Sequence, residues 1–262
     1  MNKRRLFIAA AVLSCAVLLI IGMSSAYLTD IEVKDNIITI GRVSISLTET
    51  PFDPDTVYTV VPGSKQGKAP KLANDGNKDE FVFLRITVPK ADITLLEETG
   101  ENKGKPRDPL NEVQQIFKLN ADSVTGDTDV IEAAAGEDVV FSYHSGSSSS
   151  DGWVLLSTES KSETEGGNTA YWDEYVFGYN RKMSPGAVTK TLFDEVQLKS
   201  FIDGEVTGEI SVGVYGYGIQ ADRLKPDQTV TQDDLSAEHL TEATLQGIYT
   251  IVRNKAEKGG TS

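Results

Sequence analysis

Residues 80–88 restrict the fold more than any other stretch of this chain. Val82, Leu84, Ile86 and Val88 fall at every second position, and Phe81, Phe83, Arg85 and Thr87 fill the positions between them. An extended backbone sends alternate side chains to opposite faces, so this spacing predicts a strand with one apolar face and one that Phe81 and Phe83 share with Arg85 and Thr87. A turn cluster built from Asn74, Asp75, Gly76 and Asn77 precedes it. Pro89 is expected to end it, because proline has no N–H to give to a ladder.

The same signals recur along the chain. Within residues 36–47, Val43, Ile45 and Leu47 alternate with Ser44 and Ser46, and Gly41 is expected to mark a bulge or bend. Further strands are expected at 57–61, 138–143, 152–156, 174–179, 188–198 and 209–220, with turn residues such as Pro62 and Gly63 between them. Residues 145–152 and 157–168 read as polar loops. An insertion rich in Glu, Asn, Gly and Lys is expected at about 90–137, with a helix at 110–118. Many short strands and few helices predict an all-β antiparallel sandwich, jelly-roll-like, over residues 41–222. After Ala221 the pattern changes. Asp234 or Ser236 can cap a helix over 237–257, with Leu240, Thr244, Ile248, Ile251 and Val252 near one face. Arg253, Lys255 and Lys258 lie at its C-terminal end, where they complement the helix dipole. This helix of the 223–262 tail is expected to pack on the sandwich; a partner-binding tail is the sharper alternative.

The first 26 residues read as a secretory signal peptide. Lys3, Arg4 and Arg5 precede an apolar run over 6–21, and Gly22 breaks it ahead of Ser24, Ser25 and Ala26. The expected cut lies between Ala26 and Tyr27. The apolar run is about long enough to cross a bilayer, so a retained anchor is the alternative. The Gly22 break, the small residues and the strand-like sequence that follows favour cleavage. Twin-arginine export through Arg4 and Arg5, or lipidation at Cys15, fits the sequence less well. Cys15 is the single cysteine, so the mature chain is expected to have neither disulfide nor thiol chemistry. The leader holds three of the 25 basic residues and none of the 39 acidic ones, and its loss takes the formal charge from −14 to −17. Such a surface repels nucleic acid and anionic lipid and favours solubility and cation association. Contact with the membrane is expected only before cleavage. The C-terminal residues carry no wall-sorting pattern and no hydrophobic tail, so retention at a cell surface would require other molecules.

The junction after the leader carries more specific residues. Tyr27, Leu28, Thr29 and Asp30 are followed by Asn36, Thr39, Gly41 and Val43. Together they resemble the cleavage region, turn and strand of the TasA/camelysin (CalY) family of secreted Gram-positive biofilm matrix proteins, with Leu28 where phenylalanine is usual. The resemblance continues through Pro62 and Gly63, through Asn74 and Gly76 with the following strand, and through Pro185, Gly186 and residues 191–196 and 217–222. It spans about two thirds of the mature chain and omits the insertion and the tail. It implies a SipW-type signal peptide cut by a SipW-like signal peptidase, and assembly into fibres of an extracellular matrix or cell surface alongside other matrix proteins.

Catalytic constellations are hard to find. Some camelysin-like proteins are labelled metallopeptidases, and a zinc protease brings two or three ligands and a carboxylate base to one metal. Only His144 and His239 are present, far apart in sequence, and each is read as a surface or packing residue. Ser64 and Ser147 lack the strand–turn–helix setting of a nucleophilic serine. The acidic pairs Glu97 with Glu98 and Asp233 with Asp234 point apart on any regular element. Residues 74–80 and 122–129 supply oxygen ligands suited to calcium, without EF-hand spacing; no cofactor is expected. Trp153, Tyr171, Trp172, Tyr175, Phe177 and Tyr179 could stack on sugars if exposed, and fit sandwich packing at least as well.

The expected function is therefore structural, not enzymatic: a secreted subunit that self-assembles by strand addition. Cleavage would free residues 27–40 as a donor strand, with Tyr27, Leu28, Ile31, Val33 and Ile37 offering side chains to the open edge of the next copy. A secreted module that binds polysaccharide or a host surface is the alternative, and a metallopeptidase the weakest reading.

Overall fold

The computed structural model describes residues 38–40, 44–51, 61–98, 100–108, 110, 112–121, 130–132, 142–202, 211–224 and 230–259. The strands, in chain order, are β1 (Ile38–Ile40), β2 (Ile45–Thr48), β3 (Lys65–Gly67), β4 (Lys71–Asn74), β5 (Glu80–Leu95), β6 (Glu112–Gln115) and β7 (Phe117–Asn120). They continue with β8 (Val130–Glu132), β9 (Ser142–His144), β10 (Trp153–Glu165), β11 (Asn168–Tyr179), β12 (Glu195–Leu198), β13 (Phe201–Ile202) and β14 (Gly213–Gln220). Two helices close the chain, α1 (Gln232–Ser236) and α2 (Glu242–Gly259). Among the described residues no helix is long and apolar enough to cross a membrane.

One sheet organises the molecule. Its order is β1-β14-β5-β11-β10, and β6 and β13 pair with the second half of β5. All its pairings are antiparallel except β1 with β14. The chain is all-β in antiparallel sheets, as its alternation predicts, with a C-terminal helix. On one face the main sheet meets β2, β4 and β9. There the ring of Phe177 meets that of Tyr143 edge-on at 5.0 Å, and Trp153 donates from Nε1 to the Lys190 carbonyl at 3.0 Å. On the other face the helices cover the sheet. Phe81, Phe83 and Ile219 pack there against Leu245, Ile248 and Val252. Both faces of β5 are therefore dry: Val82, Leu84, Ile86 and Val88 are as buried as Phe81 and Phe83.

Several expected boundaries are corrected. Pro89 does not end β5, which runs on to Leu95. The Pro89 carbonyl accepts from the Ile116 N–H at 3.2 Å, so its nitrogen faces the same flank. On that flank β14 has ended at Thr87 and β6 begins at Lys90, so no ladder bond is lost. The helix expected at 110–118 is instead the pair β6 and β7, because Phe117 and Leu119 bury alternately and β12 supplies a strand partner. The polar loop expected at 157–168 is the outer half of the β10–β11 hairpin. Gly166 and Gly167, at φ of 59° and 88°, give the left-handed two-residue turn that suits twisted antiparallel strands. Only 195–198 of the strand expected at 188–198 is extended, and Leu192 and Phe193 plug the core from the connection before it. The expected tail helix is two helices. Thr231, not Asp234 or Ser236, caps the first, with Asp234 closing the reciprocal box. Thr241 accepts from the Thr244 N–H at 3.2 Å as the second begins.

Candidate functional site

The candidate cleavage pair Ala26 and Tyr27, and the candidate donor residues Leu28, Ile31, Val33 and Ile37, lie outside the described residues. What is described is the strand into which that segment leads. β1 runs parallel to β14, with Ile38 opposite Tyr217, Thr39 opposite Gly218 and Ile40 opposite Ile219. It forms one margin of the main sheet. β14 lies close on the layer beneath it. A Cβ on Gly216 would sit 2.8 Å from a methyl of buried Leu72.

The residue ahead of β2 is held by a buried carboxyl. Ser44, the residue ahead of β2, donates its N–H to Oε1 of Glu80 at 3.3 Å, and its carbonyl accepts from the Asp75 N–H at 2.8 Å. Glu80 is fully buried at the head of β5, opposite Gln220 at the end of β14, and among the described residues its Oε2 has no hydrogen-bond partner. Burial pushes its carboxyl from 4.5 up to about 7, the Ser44 bond opposes the rise, and the charge of Asp75 adds to it. Ser44, which leads into β2, is thus tied to a carboxyl that holds its proton close to neutral pH.

The opposite margin is built differently. β11 pairs with β5 as far as Tyr171 opposite Lys90, and residues 162–170 project beyond as a two-stranded ribbon. Among the described residues no strand covers the outer flank of β10. Glu159, Lys161, Glu163 and Glu165 alternate with Ser160, Ser162 and Thr164 along it. Charges on an uncovered strand oppose pairing with a second chain.

The other candidates fall into structural roles. His144 pairs through Nε2 with Asp194 at 2.7 Å, and Asp194 also accepts from Thr191. His239 pairs with Asp151 at 3.0 Å, which Arg181 also holds at 2.8 Å, so this histidine joins the α1–α2 loop to the loop ahead of β10. Among the described residues no three His, Cys, Asp or Glu converge in a way that could hold a metal. Asn74 uses its carboxamide to build the 74–79 turn, donating to the Lys78 and Met183 carbonyls and accepting from the Gly76 N–H. Residues 122–129 lie outside the described residues. Ser64 accepts from the Val61 N–H, and Ser147 bonds to Ser150 at the loop tip.

Most of the aromatic cluster is core. Trp153, Tyr175, Phe177 and Tyr179 are buried, and Trp153 meets Tyr179 edge-on at 5.1 Å. Tyr171 is exposed and Trp172 half-buried. A stacking platform made of the whole cluster is therefore ruled out.

Sequence reasoning missed Glu80 and the surroundings of Arg85. The available signal was a charged residue at the head of a strand and another in the middle of one, each among apolar neighbours. No family model, no curated protein and no solved structure matches this chain.

Proposed function

We propose that the chain is an exported structural subunit of an extracellular matrix or cell surface, like the TasA/camelysin proteins its junction resembles, and that it assembles through its N-terminal strand after cleavage at Ala26. The observation that supports this reading is the parallel pairing of β1 with β14. A three-residue strand makes few bonds, and it occupies the flank where the same segment of another copy could pair. Exchange of that pairing between copies is head-to-tail. It need not close on itself, so it generates filaments. Before cleavage the leader holds the N-terminus at the membrane and prevents exchange. The role requires no catalytic residue and no cofactor.

The test compares the chain beginning at Tyr27 with one that also lacks residues 27–36, followed by electron microscopy over time. Filaments from the first and folded monomers from the second are expected. Filaments from both would refute assembly through this segment, and monomers from both would refute self-assembly.

A further inference from the structure

One ion pair of this chain lies wholly inside the fold. Lys68, in the connection between β3 and β4, is among the largest fully buried side chains, in the company of Trp153, Phe81 and Phe83. Its Nζ stands 2.9 Å from Oε1 of Glu49, the residue after β2, and the two side chains are 2 % and 4 % exposed. The contact is close but lies off the alignment of a hydrogen bond. Lysine usually buries its stem and keeps its ammonium in water, so a lysine enclosed to its tip is unusual.

The backbone holds both partners in place. Thr48, the neighbour of Glu49, pairs with Lys71 at the end of the β2–β4 ladder. The Lys68 N–H donates to the carbonyl of Asp194, the residue before β12, at 2.9 Å, and the Leu192 N–H donates to the Pro70 carbonyl at 2.9 Å. A Cβ on Gly67 would come within 2.8 Å of the Pro51 ring, so the end of β3 packs directly against the chain that follows Glu49. The two side chains are therefore presented to one another by fixed strand ends.

We propose that Lys68 and Glu49 condense to an isopeptide bond, an amide between the two side chains. The step releases water and needs no other reactant. The ammonium first passes a proton to the carboxylate, giving a neutral amine and a neutral acid. The Nζ lone pair then attacks Cδ of Glu49. A C–N bond forms, one Cδ–O bond breaks, and that oxygen leaves as water with the acid proton and one proton from Nζ. Nothing is oxidised or reduced. Two features of the site favour the step. Burial disfavours both charges, so the neutral forms that react are less costly to reach here than in water. Well-oriented groups held together react as if at about 10⁵–10⁸ M, which offsets the advantage that bulk water gives to hydrolysis. The product removes both charges from the interior and joins the end of β2 to the β3–β4 connection. Cys15 is the single cysteine, so no disulfide within the chain can make such a staple. The bond involves neither β1 nor the leader, and it stands or falls apart from strand exchange.

Intact-mass measurement of the purified chain, denatured after days at neutral pH, tests the proposal, together with tandem mass spectrometry of its tryptic peptides. The chain should be lighter than its sequence by one molecule of water. A branched peptide should join Glu49 to Lys68, with no cleavage after Lys68. Lys68→Met should restore the full sequence mass. Should that variant fail to fold, the branched peptide of the unaltered chain decides alone. A full sequence mass for the unaltered chain, a water loss that persists in Lys68→Met, or a lost water that maps elsewhere, such as a succinimide at Asp75 and Gly76, would each overturn it.

Discussion

The two margins of the main sheet are finished in opposite ways. At one, β14 receives β1, three residues of the same chain, and Ser44, the residue ahead of β2, is held by buried Glu80. At the other, the 13 residues of β10 have no strand on their outer flank among the described residues, and charged side chains alternate along them. A sheet edge can be satisfied by chain or defended by chemistry. A margin closed by a short strand can be reopened by a competitor for the same pairing. A margin defended by charge rejects partners without any rearrangement. Under the proposed assembly, exchange belongs at β14, and β10 is the margin left to solvent.

The largest expected effect strikes the closed margin. Glu80 has its folded-state carboxyl raised from 4.5 to about 7. The folded protein therefore binds this proton more tightly than the unfolded chain does. The resulting stability is fully present below pH 4.5 and is lost as pH rises through about 7, a span that corresponds to roughly 3 kcal/mol. Glu80→Gln keeps an acceptor for the Ser44 N–H and cannot ionise. It should raise stability at pH 8 by most of that amount and remove the fall between pH 4.5 and 7, as read by urea unfolding at a series of pH values. An unchanged slope would mean that burial of this carboxyl beside Ser44 does not govern the pH dependence.

Next comes the root of the uncovered margin. Gly152 precedes β10, and a Cβ there would lie 2.2 Å from the Ser145 carbonyl oxygen, a backbone atom. Gly152→Ala should cost about 2–3 kcal/mol, because either the loop or the strand must shift. The tip behaves differently. A Cβ on Gly167 meets nothing within 4 Å, and only its φ of 88° opposes a side chain. Gly167→Ala should cost about 1 kcal/mol, the left-handed penalty alone. Equal losses at the two glycines would show that the ribbon is packed along its whole length.

The same two margins show which features could be read from sequence. The strand at 80–88 was legible because Val82, Leu84, Ile86 and Val88 alternate along one face, and residues 174–179 because Tyr175, Phe177 and Tyr179 alternate with smaller residues. The outer hairpin was not. Both of its faces meet water, so its alternation of serine or threonine with charge reads as loop, and only the Gly166–Gly167 pair marked a turn. Pro89 was misread because its consequence depends on which neighbour stands beside it, and that is decided by β6 and β14, distant in sequence. The role of Asn74 as a turn builder was legible from its spacing to Gly76. That Glu80 is buried was not, because neighbours such as Ser44, Met183 and Gln220 are distant from it in sequence.

The smallest expected change in stability carries the sharpest test of the comparison. Along β10, Glu159, Glu163 and Glu165 lie among exposed residues of the outer hairpin. Replacing Glu163 and Glu165 by threonine should alter stability by less than about 0.5 kcal/mol, since exposed pairs contribute little. Threonine favours extended backbone, and two like charges vanish from the uncovered flank. If those charges are what keeps the margin solitary, the variant should associate through β10 at concentrations where the unaltered chain is monomeric, as measured by analytical ultracentrifugation. That association should persist in a chain lacking residues 27–36, because it uses the margin opposite β1. A variant that stays monomeric would show that length, twist or an uncharged feature of the ribbon defends this edge, and the contrast between the two margins would then rest on geometry alone.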